Sequence, residues 1–502
     1  MNLQRQRQTP LLDALLEYAH NHTVPFHVPG HKQGNAMHPL FRQCAGELLL
    51  SMDVTLFQQV DSLHHPTGAI REAQELAAEA FFADQTFFCV HGTSGAIQAM
   101  ILSVVGESDK ILLPRNVHKS ITSSLILSGA VPVYMKPEIH LQTGTALNIT
   151  PETVEESLRL HPDVKAVLLI NPTYYGVAAD LERIVRLVHR RDIPLIVDEA
   201  HGPHLCFHPH LPLSAMEAGA DACAQSTHKI LGSLTQSSML HVRGTRIDAQ
   251  RVRSMMNLLQ TTSPSYPLLA SLDVARMQMA TQGTELLEGT SQLADDARKA
   301  IRTIPGFTCM GDEVVGNPGA YGFDPGKVTI TCREMGMSGH ALERTLAETY
   351  RIQPEMADLY NVLCTLSIGT TPEHVEKLID ALGHISRQVN AANVVPYPAP
   401  VFTSLPEIPD MALTPREAFH APSRSLPLEE SVGEISTEFL LAYPPGIPLL
   451  CPGERITQDI LDAVEAQKSA GLSVQGTRDP HVTHIQVASD ALHGTVESRH
   501  IS

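Results

Sequence analysis

From about Phe81 to Arg243 the chain alternates short, nearly unbroken apolar runs with stretches of helical periodicity. The runs predict strands at 86–90, 110–114, 131–135, 164–171, 193–198 and 222–226. Several lack the apolar–polar alternation of a half-exposed strand; Val164-Lys165-Ala166-Val167-Leu168-Leu169-Ile170 is one. Strands covered on both faces read this way, and their alternation with helices makes a mainly parallel α/β sheet. A first helix is signalled by Thr9-Pro10, with Thr as cap and Pro where its missing N–H costs nothing. Residues 270–300 read as one long helix rich in Ala, Leu, Met and Glu. A smaller α/β segment follows, with strands at 327–331 and 362–366, a helix at 338–348 and another opened by Thr371-Pro372-Glu373. Five prolines between 390 and 410 predict a linker, Thr414-Pro415-Arg416-Glu417 a capping box, and 443–448 a rigid loop. The tail beyond about Val487 is expected to fray. The expected division is an arm (1–50), a large α/β domain (51–270), a small α/β domain (271–390), and a linker with a C-terminal α+β domain (391–502).

The formal net charge of −18 over 502 residues argues against nucleic acid, whose phosphates need a Lys/Arg surplus, and mildly favours a small cationic partner. No apolar run approaches the roughly 18 residues that span a bilayer, and the polar N-terminus carries no signal-peptide core. The eight cysteines are scattered and form no CxxC, which reads as reduced core residues of a cytoplasmic protein.

The chemistry concentrates at predicted strand ends. Asp198-Glu199-Ala200-His201-Gly202 closes a buried strand, and Lys229 follows the next one in Ser226-Thr227-His228-Lys229. Side chains two apart on a strand share a face, so Asp198 and Ala200 look toward one ligand at the edge where α/β folds bind. An amine able to form a Schiff base, with an acid for a ring nitrogen, is what pyridoxal phosphate requires. The small residues of His91-Gly92-Thr93-Ser94-Gly95-Ala96 begin a helix and expose N–H groups suited to phosphate, with hydroxyls on Thr93 and Ser94. His118, after another apolar strand, could stack on a pyridine face, and Asn171-Pro172-Thr173-Tyr174 would line a crevice floor. The plain alternatives are a capping Asp, a surface Lys or His and ordinary turns. Each is reasonable alone and unconvincing for the whole set. His201, His204, His208 and His210 invite a zinc reading, but their spacing fits no standard ligand set, and no metal is expected.

Taken in order, these motifs resemble the Orn/Lys/Arg decarboxylase family, pyridoxal-phosphate enzymes of the aspartate-aminotransferase-like fold type I, and among them the short bacterial arginine decarboxylases without an N-terminal wing domain. The resemblance runs from about Thr9 to about Gly476. It includes His27-Val28-Pro29-Gly30-His31-Lys32, Thr261-Thr262-Ser263-Pro264-Ser265-Tyr266 and Pro452-Gly453-Glu454. It implies that Lys229 carries the cofactor and Asp198 pairs with its ring nitrogen. It implies that His118 stacks on the ring, with Ala200 and His201 on the other face. Thr93, Ser94, Gly95, Ser226 and His228 would surround the phosphate. It further implies a homodimer at least, with Thr262 reaching a partner's site and Glu454 meeting the distal cation of a basic amino acid. Arginine is the expected substrate, ahead of lysine and ornithine. An aminotransferase would need an arginine clamp, for which neither Arg333 nor Arg351 has the context. A non-catalytic regulator would not need Lys229, Asp198, Ser94 and His118 intact.

Overall fold

The structure, a computed structural model, describes residues 2–391, 407–443, 447–469 and 473–489. It forms two compact units interleaved along the chain. The first comprises Met1–Ser103, Pro194–Gly289 and Ser367–Gly369; the second comprises Val104–Ile193, Thr290–Leu366 and Thr370–Ser502. The first eight strands are β1 (Gln85–Cys89), β2 (Lys110–Pro114), β3 (Val131–Met135), β4 (Ala166–Ile170), β5 (Val177–Ala178), β6 (Leu195–Asp198), β7 (Ala222–Gln225) and β8 (Ser238–Val242). The six strands expected in this region appear with ends within two residues of the apolar runs.

In the first unit the strand order is β1-β8-β7-β6. β8 has no counterpart in the sequence reading, because Ser238 and His241 interrupt its apolar run, yet all five of its residues are buried. It is antiparallel to both β1 and β7, while β7 is parallel to β6. The consequence is directional: β1, β6 and β7 all run the same way, so their C-terminal ends share one edge. Leu11 and Leu15 of helix Pro10–His20 join Ile70, Phe81, Phe88 and Leu272 in the core of this unit. Thr9 occupies the cap position but its hydroxyl donates to Asp13 (3.1 Å) and accepts nothing from the helix, a correction to the expected cap. The long helix extends over Tyr266–Arg302, belonging to the first unit through Gly289.

The second unit holds β4-β2-β3, all parallel. It also holds an antiparallel sheet ordered Met356–Ala357, Asn361–Thr365, Lys327–Thr331, Thr308–Cys309, packed on helices Gly339–Tyr350 and Pro372–Ala391. The C-terminal part carries two small antiparallel sheets around Leu440, Leu450, Ile460 and Ile485. The capping box is present: Thr414 accepts from the Glu417 N–H (3.2 Å) and Glu417 accepts from the Thr414 N–H (2.9 Å). Of the expected rigid loop at 443–448, Tyr443 ends strand Leu440–Tyr443, Ile447 and Pro448 begin strand Ile447–Leu450, and 444–446 lie outside the described residues. Residues 392–406 of the expected linker and 490–502 of the tail also lie outside them.

One carboxylate organises the entry to helix Ala69–Ala80. Asp61, buried and with φ +68°, accepts N–H groups from Ser62, Thr67, Gly68 and Ile70 at 2.8–3.1 Å, and its carbonyl accepts the Tyr266 hydroxyl (2.6 Å). The Gly68 and Ile70 N–H groups are among the donors a helix start leaves unpaired. Asp61→Ala should therefore lower the apparent Tm by about 5 °C or more in calorimetry, with Asp61→Asn intermediate because one oxygen acceptor remains.

Candidate active site

Three turns meet at the common edge of β1, β6 and β7. β6 ends on Asp198 itself. After β7, Ser226 leads into the single turn Thr227–Ile230 that bears Lys229. After β1, Gly92 turns with φ +65° into helix Gly92–Val104. Gly95 is required in that first turn, since a Cβ there would lie 2.8 Å from the Cβ of His91. The Thr93 and Ser226 hydroxyls are 2.5 Å apart, so two of the turns are hydrogen-bonded to each other. Ser94 stands exposed beside them. The His228 Nδ1–H donates to the Ser237 carbonyl (2.7 Å).

Lys229 Nζ lies 2.9 Å from His201 Nε2. The lysine is exposed, whereas Asp198 and His201 are each only 5% exposed. Burial pushes the Asp198 carboxyl up to about 6, against the opposing pull of Lys229 and of the Ala200 N–H, which donates to Oδ1 (3.1 Å). No other hydrogen bond reaches this carboxylate from the described residues. A carboxylate removed from water with an oxygen left open is costly. An N–H cation opposite it would relieve that cost. The donor set therefore fits pyridoxal phosphate: an amine, an acid for a ring nitrogen, and hydroxyls with a helix start for a phosphate.

Sequence reasoning passed over the other face of β6. Glu199 points away from Asp198, as the strand period demands, and is fully buried. It accepts the Ala215 N–H (2.6 Å) and the Gln225 Nε2–H (2.8 Å). Gln225 Oε1 in turn accepts His241 Nε2–H (3.0 Å), and His241 Nδ1 accepts the Thr86 hydroxyl (2.8 Å). This line of four side chains crosses beneath β6, β7, β8 and β1. Burial raises the Glu199 carboxyl to about 8 and lowers the His241 imidazole to about 3, so both are neutral at pH 7. Nothing in the apolar pattern marked His241 or Gln225 as partners, since their meeting depends on the unforeseen β8.

Thr262 lies exposed on the first unit just before Tyr266; its neighbour Thr261 accepts a hydrogen bond from His64 Nε2 (2.9 Å) through its carbonyl. Of the four histidines of the zinc reading, His208 and His210 do come together, joined by Glu288. His208 Nδ1 accepts the His210 N–H (3.3 Å), which puts the proton on Nε2, and that N–H donates to Glu288 (2.7 Å). The buried imidazole is thus a hydrogen-bond donor to the acid, without a lone pair facing it.

In the second unit, His118 is half-buried and caps helix Lys119–Ser128, its Nδ1 accepting the Ser120 N–H (3.2 Å). Asn171 is buried and accepts the Ala179 N–H (2.9 Å), which ties its turn to β5. Arg351, left-handed at φ +58°, ends helix Gly339–Tyr350. Glu454 requires a correction. It was expected to face a substrate cation, but it is 0% exposed and its two oxygens bind Arg115 Nη1 and Nη2, the latter at 2.8 Å, with the Cys451 N–H also on Oε2 (2.7 Å). A guanidinium of the chain itself fills the place the substrate was expected to take.

Strand directions and the Asp198–Lys229 edge define an α/β protein of fold type I. Solved structures of similar fold include the Francisella novicida lysine decarboxylase LdcF, at TM-score 0.84 and 25% identity, covering 97% of this chain and 82% of that one. A serine palmitoyltransferase from Sphingomonas wittichii shares the fold at TM-score 0.54 and 17% identity, over 72% of this chain and 86% of that one. Two family descriptions match the sequence: Orn/Lys/Arg decarboxylase, major domain, over residues 9–374, and the C-terminal domain of the same family over 401–473. The chain belongs to the Orn/Lys/Arg decarboxylase family. Among its relatives, arginine decarboxylases of Halalkalibacterium halodurans and Bacillus subtilis are 49% and 48% identical, each over 97% of this chain and 99% of theirs. Lysine decarboxylase LdcA of Pseudomonas aeruginosa is 30% identical over 91% of this chain and 75% of its own. No helix among the described residues is long and apolar enough to cross a membrane.

The buried line of polar groups makes a pH prediction. A carboxyl whose folded pKa is raised favours the folded state when protonated. Its contribution is whole below the ordinary carboxylate range and is lost as pH rises through about 8. Gln at position 199 can be accommodated if the Gln225 amide and the His241 tautomer both reverse. Glu199→Gln should thus flatten the Tm profile, with Tm near the parent at pH 5 and higher by several degrees at pH 8.5 in calorimetry. A parallel downward offset at both pH values would show instead that the line cannot reverse.

Proposed function

We propose that the chain is a pyridoxal-phosphate-dependent arginine decarboxylase, releasing CO2 and agmatine. The observation that carries this reading is the 47–49% identity to arginine decarboxylases over 89–97% of the chain, against 30% or less to lysine decarboxylases. A second reading, lysine decarboxylation, is favoured by solved neighbours at TM-scores of 0.81–0.84 that are lysine decarboxylases.

When bound, pyridoxal phosphate supplies an aldehyde for the substrate amine and a ring that accepts the electrons left by CO2. The chain's own groups then have separable tasks. Lys229 holds the cofactor between turnovers and takes it back at the end. Asp198, an anion of the buried edge, keeps a proton on the ring nitrogen and so maintains the electron sink. His201, within hydrogen-bond reach of Lys229, exchanges a proton with it; either group can return a proton to the substrate carbon. Thr93, Ser94, Gly95, Ser226 and His228 hold phosphate, Ala200 leaves room for a flat ring, and His118 stacks on it. Thr262 serves the partner in a homodimer. Support for that dimer comes from exposed apolar groups of the arm, with Phe26 93%, Leu40 70% and Val28 62% exposed. All eight cysteines are free and only Cys44 is exposed, which suits a reducing cytoplasm.

Incubation with arginine, lysine and ornithine separately, assayed for CO2 and amine, tests the substrate. The expected kcat/KM favours arginine by at least about tenfold, or roughly 1.4 kcal/mol. A preference for lysine would support the second reading, and keto-acid production would remove decarboxylation altogether. Lys229→Ala should abolish turnover and the visible absorption of the holoenzyme. Asp198→Asn should keep some cofactor yet lose about a thousandfold or more in rate. Mixing Lys229→Ala with Thr262→Ala/Ser263→Ala should restore part of the activity if sites are shared between subunits.

A further inference from the structure

Within the second unit, a buried polar cluster joins the end of β2 to the C-terminal segment. Arg115, 6% exposed, follows Pro114 directly and precedes His118 by three residues. Its guanidinium forks onto both oxygens of Glu454, donates to the Leu449 carbonyl (2.9 Å) and lies 4.7 Å from the centre of the Tyr134 ring on β3. The Tyr134 hydroxyl donates to Cys451 Sγ (3.6 Å), and the Cys451 N–H donates to Glu454 (2.7 Å). Burial opposes the charge on Arg115, but Glu454 and then Cys451 favour it, and the net effect raises its pKa above the ordinary value.

The turn that presents Glu454 is built for one conformation. Gly453 has φ +96°, and a Cβ there would come within 2.1 Å of the Leu413 carbonyl oxygen. The Glu454 backbone is pinned as well, its carbonyl accepting the Ser436 N–H (2.9 Å). The same segment grips the far end of the helix that His118 caps. Arg416 donates to the Ile126 carbonyl (2.8 Å) and to that of Leu127, the unpaired acceptors of that helix's last turn. Gly129, left-handed at φ +74°, leaves room for it, since a Cβ would meet Arg416 Nη1 at 2.9 Å.

The C-terminal segment therefore grips the end of helix Lys119–Ser128 and, through Arg115, the turn that leads into its start. We propose that Glu454, through Arg115, is a positioning residue that fixes the His118 imidazole, and that it does not read the substrate's distal cation. This rests on the reading that His118 stacks on the cofactor. A bidentate carboxylate–guanidinium pair fixes orientation as well as distance. Removing one partner leaves a buried charge, whereas replacing both by apolar groups of similar size is often tolerated.

The test uses the full chain with Glu454→Gln, Glu454→Met, Arg115→Met, the Arg115→Met/Glu454→Met pair and His118→Ala. Amide hydrogen exchange is followed with and without cofactor, and the holoenzyme's visible absorption and its kcat and KM are measured. Glu454→Gln should speed exchange across residues 116–128 and move the absorption in the direction that His118→Ala moves it. It should also lower kcat by about tenfold or more, with KM changed by less than about threefold. The double Met variant should recover exchange protection and most of the lost kcat. A raised KM with kcat and exchange unchanged would overturn the proposal in favour of substrate contact. If Glu454→Gln speeds exchange while His118→Ala leaves absorption and kcat as in the parent, the stacking role of His118 fails and the proposal fails with it, although the mechanical coupling stands.

Discussion

Asp198 sits on the last residue of a strand whose four side chains are all buried, where a carboxylate with few donors is expensive. Such a group persists only if something nearby compensates, and the first unit supplies that something through direction alone. Because β8 runs against both its neighbours, β1, β6 and β7 deliver their turns to one edge. Lys229, the Thr93–Ser226 contact and the open oxygen of Asp198 are consequences of that alignment. Reversing any one strand would carry a functional group to the opposite end of the sheet, about 15 Å away for a strand of five residues.

The apolar runs made most of this legible. Ends of strands were foreseen to within two residues, and with them the groups that follow each strand, since a turn residue's place is set by where its strand stops. What escaped was anything requiring two distant segments to meet. β8 was hidden by Ser238 and His241, so the hydrogen-bonded line from Thr86 to Glu199 was hidden with it. Thr9 looked like a cap from its spacing, but its hydroxyl found Asp13. Glu288, eighty residues beyond His208, could not be paired with it by any local rule.

Glu454 is the instructive failure. Its setting after Pro452-Gly453 correctly announced a carboxylate held rigidly by a tight turn. The chemistry facing that carboxylate was read as a ligand's guanidinium when it is the protein's own Arg115. Sequence gives the chemistry of one partner; burial and topology choose the other. An arginine directly after an apolar strand reads as solvent-facing by position, and only its 6% exposure and the Tyr134 ring beside it reveal a desolvated group.

The line beneath the sheet has a consequence for behaviour in acid. With its carboxyl pushed up to about 8 and its imidazole down to about 3, the interior strip stays mostly uncharged as the pH falls from 7 through the mildly acidic range. The chain as a whole does the opposite: its formal charge of −18 at pH 7 falls to zero near an isoelectric point of about 5.8. Mild acidification therefore acts first on colloidal repulsion between molecules, and solubility gives way while the strands beneath remain electrically silent.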